Sequence, residues 1–249
     1  MCGRYSNSKD LTQLAKNNQF TSSILFQPRY NIAPTQLAPV IVQEQQKPEM
    51  RMMRWGLIPS YAKSESVGFA LINARAETLS SRPSFKPAYQ NRRCLVPADS
   101  FFEWQERDGK RQPFRIMQQN GQPFCFAGLW ERWDKPSAID QSDNVSTEPS
   151  PNQVVESFTI ITAAANATIK PLHDRMPVIV QEQHYAWWLD CGAQNSLFTQ
   201  VLKHQVTEPL KIYPVSSSVN SVKTDDPSCI EPAQIERDMF EKQWWESGI

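Results

Sequence analysis

R-R-C-L-V-P-A-D-S-F-F-E-W-Q-E-R-D-G-K-R-Q-P-F-R-I-M-Q-Q-N-G-Q-P-F-C-F-A-G-L-W, residues 92–130, contains four runs that read as short strands. Arg93–Val96, Ser100–Gln105, Pro113–Gln118 and Phe124–Trp130 are rich in β-branched and aromatic residues and are separated by Pro, Asp and Asn. Working outward, the same pattern recurs at Pro39–Gln43, Arg51–Leu57, Gly68–Ile72, Phe158–Thr162, Pro177–Val180 and Lys211–Val215. Helix candidates are Ser8–Asn17, with Ser8 as its cap, Gln181–Leu189 and Ser196–His204, the first two with helical apolar spacing. With 8 glycines against 19 prolines, long helices and glycine-rich loops are both poorly supported. Many short strands and few helices predict a β-rich α+β single domain built on a curved, barrel-like antiparallel sheet.

A chain of 249 residues, 40% hydrophobic and 21% charged, is long enough to bury a sizeable core. The domain is expected to span residues 1–224, followed by an acidic tail at 225–249. Residues 134–152 (DKPSAIDQSDNVSTEPSPN) are polar and proline-containing, so they read as a mobile insertion between two core strands. The net charge is zero, yet residues 1–115 hold 17 Lys+Arg against 9 Asp+Glu while the remainder holds 9 against 17. A basic N-terminal half hints at a polyanionic partner.

Five cysteines at 2, 94, 125, 191 and 229 form no C-x-x-C pair, and three histidines complete no zinc pattern. Phosphate-loop, dinucleotide and H-E-x-x-H motifs are absent. No cofactor and no metal are therefore expected. No apolar stretch approaches the roughly 18–20 residues that cross a bilayer, and no signal-like segment opens the chain. The expectation is a cytosolic protein (nuclear, in a eukaryote) with reduced thiols, no membrane partner and a monomeric state.

The N-terminus reads Met1-Cys2-Gly3-Arg4. Removal of Met1 would leave Cys2 with a free α-amine beside its thiol. An α-amine titrates near ~7.7–8.0, so much of it is a neutral nucleophile at cellular pH. The thiol, beside a cation such as Arg4, is expected to be partly thiolate. A 1,2-aminothiol attacks an aldehyde through nitrogen and closes through sulfur to a thiazolidine; the same group can attack an acyl centre instead.

Further motifs follow in order: Y-N-I-A-P-T at 30–35, R-W-G-L-I-P-S at 54–60, I-N-A-R-A-E-T at 72–78, S-F-K-P at 84–87 and R-R-C-L-V-P-A-D-S-F-F-E-W at 92–104. F-A-G-L-W at 126–130, F-T-I-I-T-A-A-A-N at 158–166 and I-K-P-L-H-D-R-M-P at 169–177 complete the set. Together with M-C-G-R-Y they resemble the SOS-response-associated peptidase (SRAP) family, whose members cross-link themselves to abasic sites in single-stranded DNA. The resemblance covers about residues 1–220. It implies an SRAP-like fold, abasic single-stranded DNA as partner, and Cys2 as the cross-linking nucleophile. It also implies catalytic roles for Asn73, Glu103 and His173. Imine formation and sugar-ring opening need proton transfers that a carboxyl and an imidazole supply, and an amide positions the reactants.

Arg4, Arg75 and Arg175 lie within two residues of Cys2, Asn73 and His173, so they are expected to grip phosphates around the lesion. Trp55 and Trp104 fall where the family presents apolar groups to flanking bases, and Pro34 is expected to line the same groove. Arg82, in a stretch that departs from the family pattern, is a further phosphate contact to test. The remaining tryptophans read as packing residues, and Cys94, Cys125 and Cys191 as inert core thiols. The family name also implies a thiol peptidase. Two other readings stay open: a cysteine amidotransferase or amidohydrolase acting through Cys2, and a non-covalent reader of modified bases.

Overall fold

Fourteen strands and three short α-helices are present among the described residues. In order they are β1 Tyr5–Asn7, α1 Thr12–Asn17, β2 Thr21–Ser22, β3 Arg29–Ile32, β4 Leu37–Glu44, β5 Lys47–Trp55, β6 Asn73–Arg75, α2 Lys86–Asn91, β7 Arg93–Ala98, β8 Ser100–Arg107, β9 Lys110–Gln118, β10 Phe124–Asp134, β11 Val154–Ala164, β12 Arg175–Pro177, β13 Ile179–Val180, α3 Tyr185–Leu189 and β14 Leu210–Pro214. This computed structural model describes residues 2–22, 24–25, 27–44, 47–107, 109–135, 154–192, 201–202 and 208–233.

One sheet runs β14-β9-β8-β1-β3. The other runs β12-β11-β10-β7-β4-β5-β2, with β6 added beside β11 and β13 beside β10. Because β5 also pairs with β11, strands β5, β4, β7, β10 and β11 close on themselves as a five-stranded barrel. Closure removes the open edges of those strands. The ring is antiparallel except at this closing pair, which is parallel and sets Phe158 against Trp55.

Why F-C-F-A-G-L-W shows no polar alternation is explained by its surroundings. Phe124 and Phe126 of β10 join a core with Tyr5, Ile32, Phe101 and Ile116 of the five-stranded sheet. Cys125, Ala127 and Leu129 point the other way, into a second core with Leu14, Ala88 and Trp188 from the helices. A strand buried on both faces has no solvent side on which to place polar residues.

Several local expectations shift by a few residues for identifiable reasons. Ser8 does not cap α1, because its backbone and hydroxyl both bond the buried Asp99 carboxylate. The cap position falls on Leu11, which offers no side-chain acceptor, and Asp10 just ahead of it accepts from the backbone N–H of Thr12 at 2.8 Å. Gly68–Ile72 is not a strand; Glu65–Ala70 forms a 3₁₀ helix and pairing resumes at Asn73. Gly68 is turned against Gly56 so closely that a Cβ on Gly56, itself at φ +119°, would lie 2.6 Å from the Gly68 carbonyl oxygen.

Residues 225–233 do not leave the body as a tail. Asp225 accepts from the backbone N–H groups of Tyr30 and Asn31 at 2.6 and 2.9 Å and pairs with Arg29. Cys229 is buried, and Pro232 bridges to Val215. The expected insertion falls, beyond Lys135, on residues 136–152, and the rest of the acidic tail on 234–249; both lie outside the described residues. So do His204 and most of the helix expected at Ser196–His204. No described helix is long and apolar enough to cross a membrane.

Candidate active site

The chain ahead of β1 runs beside β8, since the backbone N–H of Phe102 donates to the Arg4 carbonyl at 3.0 Å. That contact carries Cys2 to the seam between the two sheets. Across the seam, β6 hangs on β11 with Asn73 opposite Ile160 and Arg75 opposite Thr162. Asn73 closes the gap: its Nδ2 donates to the Cys2 carbonyl at 2.8 Å. Its Oδ1 is buried without a hydrogen-bond partner among the described residues. Such an acceptor costs about 1–3 kcal/mol and is suited to an incoming ammonium or hydroxyl.

Cys2 is fully buried in the chain that still carries Met1. Burial, reinforced by the charge of Glu103, pushes its thiol far above the ordinary thiol range. This corrects the expectation of a partly ionised thiol. The Arg4 guanidinium that was to stabilise the thiolate faces away, donating to Asn31 Oδ1 at 2.9 Å and to the Val219 carbonyl at 2.7 Å.

Glu103 lies on β8 opposite Phe114 and next to Phe102, and is 3% exposed. Desolvation raises its carboxyl pKa, while the N-terminal amino group and His173 pull it down. It is thereby held closer to neutral pH than a surface carboxylate, as an acid–base group requires. His173 comes from the turn between β11 and β12. The Arg175 backbone N–H donates to His173 Nδ1 at 2.8 Å, so the proton of the neutral ring resides on Nε2. Cys2, Asn73, Glu103 and His173, far apart in sequence, thus converge where the two sheets meet.

The expected DNA contacts fare unevenly. Arg75 is exposed beside Asn73, and Arg82 is exposed over the Phe85 ring at 5.2 Å. Pro34 is half-buried in a turn that leaves Thr35 at φ +74°. Trp104 is half-exposed, with its indole N–H on Asn220 at 2.6 Å and Arg111 stacked over its ring at 5.8 Å. Trp55 has no surface to offer a base: it is fully buried, donates to the Ile72 carbonyl at 2.9 Å and stacks on Phe158. Its stacking role is withdrawn, because the barrel closes on that side chain. Arg4 serves the N-terminal segment, and Arg175 carries a carboxylate, Glu77.

Asn31, Asn220 and Glu77 are the participants that sequence reasoning missed. Asn31 anchors Arg4 and donates to the carbonyls of Val219, Ser221 and Thr224. Asn220 lies far in sequence from what it holds; Asn31 and Glu77, by contrast, sit inside Y-N-I-A-P-T and I-N-A-R-A-E-T and were legible there. Among the described residues no group of three or more metal-binding side chains comes together.

Comparison with known proteins agrees with this architecture. The sequence is 37% identical over 236 residues to the abasic site processing protein YoqW of Bacillus subtilis strain 168, covering 93% of this chain and 99% of that one. It is 30% identical over 241 residues to the abasic site processing protein HMCES of Gallus gallus, covering 84% and 68%. A solved protein of Bacteroides thetaiotaomicron shares the fold, with a TM-score of 0.78 at 24% identity over 94% of this chain and all of that one. The family profile described as SOS response associated peptidase matches residues 1–222. With its fold, its seam of N-terminal cysteine, asparagine, glutamate and histidine, and these relatives in agreement, the chain belongs to the SRAP family.

Proposed function

We propose that this chain processes abasic sites in single-stranded DNA by covalent capture through Cys2. The observation that carries the reading is the Asn73–Cys2 hydrogen bond at 2.8 Å beside the buried Glu103 carboxyl. It fixes the backbone of residue 2 near that carboxyl. Relatives named as abasic site processing proteins support the substrate.

After loss of Met1, the Cys2 amine adds to the C1′ aldehyde of the ring-opened sugar. Proton transfer to the resulting carbinolamine oxygen expels water and leaves an imine. The Cys2 thiol then adds to the imine carbon, its proton passes to nitrogen, and a five-membered thiazolidine closes with one water released overall. Glu103 and His173 carry the protons, and Asn73 Oδ1 orients the amine or a sugar hydroxyl. Arg75 is the exposed cation nearest Asn73 in sequence and is suited to a flanking phosphate.

Peptide cleavage has less support. A thiol peptidase attacks as thiolate, and burial of Cys2 disfavours that form. The test is incubation with single-stranded DNA carrying one abasic site, followed by a denaturing gel. A heat-stable shifted band that vanishes in Cys2→Ala is expected. A complex lost on denaturation, with binding intact, refutes covalent capture.

A further inference from the structure

Glu77 grips Arg175 with both carboxylate oxygens, Oε1 accepting from Nη1 at 2.6 Å and Oε2 from Nη2 at 3.0 Å. From behind, Nη2 also donates to the Thr162 carbonyl and lies 3.4 Å from Thr162 Oγ1. The guanidinium is therefore anchored on β11 and capped from the front. The cap is the outer partner, with 53% of the Glu77 side chain in water against 19% of Arg175. Arg75 flanks Thr162 from the neighbouring strand, so Glu77 lies among the cations of the site. A carboxylate spanning both guanidinium nitrogens fills the fork that two oxygens of a phosphodiester would take.

We infer that Glu77 is an internal competitor for the DNA phosphate at Arg175, a specificity-determining residue that weakens the grip on single strands without a lesion. The inference rests on the abasic-site reading for the identity of Arg175's ligand. An intact strand offers only phosphates, and each binding event must displace Glu77. An abasic strand is retained by its bond to Cys2 once captured, so a weak phosphate grip costs it less. The discrimination between the two strands is set in part by this carboxylate. Thr162 keeps Arg175 in place while the exchange occurs.

The test measures equilibrium binding of a fluorescent, intact single-stranded oligonucleotide at about 0.15 M salt, where charges beyond ~8 Å are largely screened. A half-exposed ion pair is worth ~0.2–1 kcal/mol, so Glu77→Gln should bind about 1.4- to 5-fold tighter than wild type. Glu77→Asp, which keeps the charge, should bind as wild type. In an Arg175→Gln background the gain from Glu77→Gln should disappear.

Unchanged or weaker binding by Glu77→Gln, with wild-type melting, overturns the inference and makes Glu77 a positioning residue for Arg175. A gain that persists without Arg175 overturns it too, since general repulsion then suffices. Glu77→Ala serves in the same comparison should the Gln variant fold poorly. Abasic DNA run beside each sample separates the two claims: loss of cross-linking in wild type refutes covalent capture and leaves the intact-strand comparison standing.

Discussion

Replacing Glu103 by Gln removes a titrating group from the centre of the seam while preserving its volume. Glu103 is 3% exposed on β8, packed beside Phe102, so an isosteric amide leaves no cavity and the fold should survive. The amide neither accepts nor delivers a proton on the reaction's timescale. Losing one positioned acid–base group slows a step by about 10²–10⁴-fold, or about 2.7–5.5 kcal/mol of barrier. Because imine formation and opening share their proton transfers, cross-linking and release should slow together. Binding of intact single-stranded DNA should change by less than about 3-fold, far below the rate effect.

The pH dependence follows from the raised carboxyl pKa. A carboxyl that titrates higher in the folded state contributes stability below its unfolded range, and loses that contribution as pH rises through the folded value. Glutamine does not titrate. The stability of Glu103→Gln relative to wild type should therefore increase from pH 4 to pH 8, while its activity stays low throughout. Time-resolved cross-linking and release across pH 5–9, with denaturant melts at both ends, measure all of this. Wild-type rates in the variant, or a defect confined to DNA binding, would refute the acid–base role.

Other outcomes can be checked with single substitutions. Cys2→Ala should abolish the covalent product and Cys2→Ser should stop at a reversible imine, which borohydride trapping would reveal; a heat-stable adduct with Ala would sink the mechanism. Arg75→Ala should reduce the salt dependence of single-strand binding by about 0.7 in log–log slope, with the larger loss of affinity at low salt. Thr35→Gly relieves a β-branched residue at φ +74°, a strain of ~1–2 kcal/mol partly offset by glycine's ~0.5–1 kcal/mol entropy cost. A melting temperature higher by about 1–3 °C is expected, and a lower one would show that the turn is not strained.

Much of the site was legible in the sequence because its chemistry is concentrated in short motifs. Met1-Cys2-Gly3-Arg4 states an aminothiol, and I-N-A-R, F-F-E-W and L-H-D-R supply an amide, a carboxyl and an imidazole whose types already limit the reactions available. Strand-rich architecture was legible too, since β-branched and aromatic runs broken by prolines suit few other folds. What these local patterns do not encode is which side of a strand faces what. Trp55 and Trp104 look alike in sequence, yet barrel closure between β5 and β11 seals one, while β8 leaves the other half in water.

Arginine roles were likewise decided by tertiary partners. A guanidinium's reach is set by its own length, but its ligand depends on whichever oxygen the fold brings within about 3 Å. For Arg4 that is Asn31 and Val219, and for Arg175 it is Glu77. The ionisation of Cys2 belongs to the same class: the sequence determined a thiol beside a cation, and only packing decided that the thiol is buried and the cation turned away. Residue identity and local periodicity are properties of neighbours along the chain. Burial, pairing and pKa are properties of neighbours in space, which exist only once the two sheets have closed around the N-terminus.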